Sequence, residues 1–125
     1  MSIRYINVTN KVDNINHIDL PNDFTMSQSE QKCISVLKVR LINSDGQLDV
    51  GCCLCGNFVD DSSYSYGLVE DFIMCTNEYN EKMIHVNDNN RKHLKHLKFY
   101  FTDYKGVKIT YSDNYYYTLE LKFIY

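Results

Sequence analysis

The segment "YYYTLELKFIY", Tyr115 to Tyr125, alternates on a period of two without a break. Tyr115, Tyr117, Leu119, Leu121, Phe123 and Tyr125 fall on one side, while Thr118, Glu120 and Lys122 fall on the other. Only an extended strand with one buried and one wet face turns that order into a single apolar surface. Upstream, "HLKFYFTD" repeats the pattern, with Leu97, Phe99 and Phe101 against Lys98, Tyr100 and Thr102. Two strands so patterned need a second layer to cover their apolar faces, and that requirement narrows the chain to a sheet-on-sheet architecture.

The rest of the chain follows the same grammar. Candidate strands are Ile3–Val8 and Ile15–Leu20, the second stopped by Pro21-Asn22-Asp23. Phe24–Lys32 is a polar connection with room for one helical turn. In Cys33–Asn43, Leu37, Val39 and Leu41 alternate with Lys38 and Arg40. "NSDG", Asn43 to Gly46, is a hairpin signal, because Gly supplies the left-handed backbone that a tight turn needs. The returning strand is then Gln47–Val59, in which Gly51 and Gly56 mark bulges or a close backbone approach. Leu68–Cys75 and Glu81–Val86 come next. After "DYKG" (Asp103–Gly106), Val107–Tyr111 is read as a short strand. The chain has no Ala or Trp and a single Pro, and it is rich in Tyr, Ile, Val and Phe, which tilts it from helix toward strand. The expectation is an all-β protein: residues 1–125 as a single antiparallel two-sheet β-sandwich of jelly-roll type, with about eight strands.

Charge and cysteine usage bound the function. A net charge of -3 provides no global positive field, so specific nucleic-acid binding is not expected. No apolar run approaches the roughly 20 residues of a membrane span, and the first residues lack the apolar stretch of a signal peptide. Five cysteines, an odd number, fit free thiols in a reducing compartment.

The cysteine cluster Cys52-Cys53-Leu54-Cys55 is the most chemical stretch. On a strand Cys53 and Cys55 share a face, with Cys52 and Leu54 opposite. A zinc site centred on Cys53 and Cys55 would need Cys75, His85 or Cys33 as further ligands, none of them in a paired spacing. Free cysteine also packs as a small hydrophobe, and a half-buried strand is the plainer reading. His93 and His96 in "RKHLKHLK" share a face only on a helix; as the run-in to a strand they are solvated. Asp60-Asp61 lacks the spaced oxygens of a calcium loop, and Glu70-Asp71 points in opposite directions along a strand. Ser62, Ser63 and Ser65 have no identifiable histidine partner, and no nucleophile elbow or phosphate loop occurs. Enzymatic activity and cofactors are therefore not expected. Eleven tyrosines give amphipathic rings suited to contact surfaces. Tyr64, Tyr66, Tyr115, Tyr116 and Tyr117 are the candidate interface residues, with the connection Asn87–His93 beside them.

The C-terminal segment resembles a known group. Leu97, Phe99 and Phe101, the turn Thr102-Asp103 with Gly106, then Ile109 and the Leu119/Leu121/Phe123 alternation resemble the closing hairpin of small jelly-roll virion proteins, penton-like or minor capsid components, of Polinton and adintovirus-like elements. The likeness covers about a quarter of the chain, and family members are longer. It implies a non-enzymatic viral structural or assembly protein that self-associates or joins other virion proteins, in the virion or the host cytoplasm. Two alternatives stay open: a monomeric β-sandwich module that binds a host protein or glycan, and a small zinc-binding domain.

Overall fold

The computed structural model describes residues 3–19, 33–59, 72–77, 79–85 and 96–124. Within them lie β1 (Ile3–Lys11), β2 (Asn16–Asp19), β3 (Cys33–Ile42), β4 (Cys53–Val59), β5 (Phe72–Cys75), β6 (Tyr79–His85), β7 (His96–Thr102) and β8 (Tyr116–Ile124). They form two four-stranded antiparallel sheets, ordered β1-β8-β3-β6 and β2-β7-β4-β5.

The pairing has a simple logic. β1 pairs with β8, β2 with β7, β3 with β6 and β4 with β5, as if the chain were folded in half into one long ribbon. The ribbon is then wound so that β8 also meets β3 and β7 also meets β4. That winding is a jelly roll. Every connection but β4–β5 changes sheet, and antiparallel pairing brings four of the crossings, β1–β2, β3–β4, β5–β6 and β7–β8, to the same end of the sandwich, called the crossing end below.

The alternation read from the sequence supplies the core. Leu97, Phe99 and Phe101 of β7 pack toward Tyr117, Leu119, Leu121 and Phe123 of β8, joined by Val39, Leu41, Leu54 and Met74. The Phe99 ring meets Phe101 and Tyr117 edge-on, at centroid distances of 5.6 and 5.2 Å, an arrangement that aromatic quadrupoles favour. Asn16 is buried among these groups with its amide satisfied, accepting from Asp13 N–H and donating to the carbonyls of Asp13 and Phe99.

Three local expectations are corrected. Asn43–Gly46 does turn the chain, with Gly46 at φ 79°, but β3 and β4 do not form a hairpin. After one isolated bridge, Ile42 to Leu48, the chain leaves for the other sheet and β4 starts only at Cys53. Val107–Tyr111 is not a strand. It makes one bridge, Thr102 to Lys108, and then enters a short 3-10 turn at Tyr111–Asp113. The alternation of β3 is also interrupted. A bulge between Val36 and Lys38 leaves Leu37 out of the β3–β8 ladder, so Ile34 and Val36 stand opposite Phe123 and Leu121, and Val39 and Leu41 opposite Leu119 and Tyr117.

Candidate interaction surface

The connections at the crossing end are fastened by side chains rather than left as solvated loops. The β3–β4 and β7–β8 connections begin with turns of the same build. The Asn43 Oδ1 accepts from the N–H groups of Asp45 and Gln47, while the Asp103 Oδ1 accepts from those of Lys105 and Val107. Each turn is closed by a glycine N–H, Gly46 to Asn43 O and Gly106 to Asp103 O. Short side-chain acceptors at a turn's first position favour this geometry.

Asp49 gathers the connections. Its carboxylate accepts from Asn43 Nδ2 at 2.7 Å and from the Tyr115 hydroxyl at 2.5 Å. Its carbonyl accepts from Asn77 Nδ2 at 2.6 Å. Asn77, in the left-handed region at φ 60°, also donates its N–H to Val39 O and accepts from Leu41 N–H. Thr76 binds Cys52 O through both its N–H and its hydroxyl. The bond to Asp49, then burial, holds the Tyr115 hydroxyl well above the usual phenol range. Burial first, then the carboxylates of Asp49 and Asp103 and the neighbouring Cys53, push the Cys52 thiol up to about 11.

The two connections also carry exposed apolar side chains. Val50 is 86% and Tyr104 70% exposed, and Leu48, Val107 and Tyr111 are exposed beside them in sequence. The two connections touch: a Cβ on Gly51 would lie 3.1 Å from the Tyr104 Cβ. Val50 and Tyr104 therefore share one rim. Lys11 covers the Tyr111 ring, with Nζ 3.7 Å from its centroid.

The five tyrosines named from the sequence separate. Tyr117 is 2% exposed and belongs to the core, so it supplies no contact surface. Tyr115 is half-buried and committed to Asp49. Tyr116 presents its ring to solvent. Tyr64, Tyr66 and the connection 87–93 lie outside the described residues, as do Asp60, Asp61, Glu70 and Asp71. Val50 and Tyr104 escaped the sequence reading because isolated apolar residues in polar turns carry no period. The repeated Asx-x-x-Gly spacing was the available signal that these turns are built alike.

The cysteines divide between sheets. Cys33 stands opposite His85 in one sheet, while Cys53 stands opposite Cys75 in the other. Cys52 and Cys55 are buried, Cys53 is half-buried and Cys75 exposed. Among the described residues no three His, Cys, Asp or Glu side chains group as metal ligands, and no helix is long and apolar enough to cross a membrane.

The chain was compared with protein-family models, with characterised proteins and with solved structures. None of the three gives a match.

Proposed function

We propose that the chain is a non-enzymatic structural or assembly protein of viral capsid type, working through contacts between copies of itself or with other virion proteins. The observation that carries this reading is the winding itself, β1-β8-β3-β6 over β2-β7-β4-β5, together with the resemblance of the closing hairpin from Leu97 to Phe123. The step from jelly roll to capsid is an analogy at the level of fold. Support also comes from how the molecule is organised: among the described residues, polar side chains at the crossing end tie loops together, as Asp49 and Asn77 do. Light scattering at micromolar concentration should report a closed oligomer, and electron microscopy of the same sample should show discrete particles or rings. A monomer across salt and pH overturns the reading.

The exposed rim of Val50 and Tyr104 favours a second reading, a monomeric module that binds a protein or glycan with these loops. In that case Val50→Ser combined with Tyr104→Ser weakens binding by at least about tenfold, as expected for central contact residues. Unchanged binding removes the rim from consideration.

A further inference from the structure

A two-sheet sandwich has four sheet edges, and here they are treated unequally. β2 and β5 are only four residues long. β6 lies against the bulged part of β3, where the ladder shifts register. Shortness and bulging are devices that discourage pairing with another chain. β1 has neither. It runs for nine residues, contains no proline, and keeps an unbroken register with β8 from Ile3 to Lys11. It is also bare: no residue of β1 is buried, and Ile3 and Tyr5 are 51% and 57% exposed. Among the described residues its only strand partner is β8.

The direction of its backbone groups can be read from one bond. Val12 N–H donates to Tyr115 O, which continues the β1–β8 register by one step. Alternation along an antiparallel ladder then turns the N–H and C=O of Arg4, Ile6, Val8 and Asn10 toward β8. Those of Ile3, Tyr5, Asn7, Thr9 and Lys11 face outward. The bond from Lys11 N–H to the Asn10 side chain agrees with this, because it caps an outward-facing donor at the strand's end.

We propose that β1 pairs antiparallel with β1 of a second copy across a two-fold axis at Asn7, joining two four-stranded sheets into one of eight strands. The proposal rests on the self-association reading and supplies its surface. Outward-facing residues must pair with outward-facing residues, so the axis passes through a residue and not between two. That rule forbids the register in which Arg4 would face Lys11 of the other copy. Centring on Asn7 gives the longest overlap. It sets Tyr5 opposite Thr9, Ile6 opposite Val8, Arg4 opposite Asn10 and Ile3 opposite Lys11. Tyr5–Thr9 is an aromatic–β-branched pair and Ile6–Val8 an apolar one, the combinations that stabilise a ladder, and no like charges face each other in the other two. About eight new backbone hydrogen bonds form along the edge. An isologous contact of this kind closes on itself and leaves the other edges unused.

The test uses the full chain. Asn7→Cys treated with a short thiol crosslinker should give a covalent dimer joined residue 7 to residue 7, as shown by peptide mass mapping. The wild-type chain, with its own five cysteines, is treated in parallel to identify dimers joined elsewhere. Thr9→Cys should give no dimer linked through residue 9, since the two positions lie roughly 14 Å apart along the strands. Asn7→Pro removes an outward N–H without touching the β1–β8 ladder, and it should lower the mass seen by light scattering while leaving the circular dichroism unchanged. If the wild type is oligomeric but Asn7→Cys forms no 7–7 link and Asn7→Pro keeps the same mass, the edge proposal fails and self-association stands. A monomeric wild type overturns both.

Discussion

Asp49 shows how much one side chain can organise at the crossing end. It lies in a connection with no regular structure, yet its three oxygens bind residues from the β3 end, the β5–β6 turn and the start of β8. Tyr115→Phe deletes a charge-assisted bond at a half-buried site and should cost about 1–2 kcal/mol in urea denaturation. The pH dependence has a definite sign. Cys52 and Tyr115 both have raised pKa values in the folded protein, so the unfolded chain releases these protons first. Their stabilisation is complete below about pH 9 and is lost as pH climbs through 11 and beyond. The melting temperature should therefore fall on the alkaline side, and less steeply in Tyr115→Phe.

Among the local elements, the two Asx-x-x-Gly turns are alike in hydrogen bonding and in leaving their glycines in open space, whereas Gly51, further along the β3–β4 connection, is crowded. Gly46 and Gly51 both have positive φ, 79° and 82°. A Cβ on Gly46 meets open space, whereas one on Gly51 meets the Tyr104 Cβ at 3.1 Å. Gly46→Ala should cost about 1 kcal/mol and Gly51→Ala about 2–3 kcal/mol, the difference reflecting backbone strain alone against strain plus a collision. Thermal denaturation of the two variants side by side measures it; equal losses would mean that the two connections are not in contact. Most strands were legible from their alternation: β7 and β8 bury the residues their patterns named. The misreadings fell where tertiary geometry competes with local pattern. The Asn43–Gly46 turn is a hairpin signal by chemistry, but the left-handed Gly51 and the close packing on Tyr104 accompany a chain bound for the other sheet.

Over the whole molecule, the aromatic centre formed by Phe99, Phe101 and Tyr117 joins one sheet to the other. Phe99→Ala should destabilise the protein by about 3–5 kcal/mol, while truncating the exposed Ile73 to alanine should stay within about 0.5 kcal/mol. Chemical denaturation distinguishes the two directly. Thiol accessibility gives an independent check on the burial. Cys75 should react promptly with a disulfide reagent in the native state, and Cys52, buried and held as a thiol, only on unfolding.

Alternation, turn chemistry and the lack of Ala beside abundant Tyr, Ile, Val and Phe determined the class of this protein, because a period of two has one physical solution. They also determined the central strands and the inward residues Leu97, Phe99, Leu119 and Leu121. Burial of the thiols was the plainer reading for Cys52 and Cys55, and both are buried. Only the tertiary structure decided the winding, since alternation says which face is apolar and nothing about which strand lies beside it. It alone brought Asp49 to Tyr115 and left β1 as the long bare edge. Each of these depends on segments far apart in the chain meeting at a fixed register, and that register exists only once both sheets have closed on a common core.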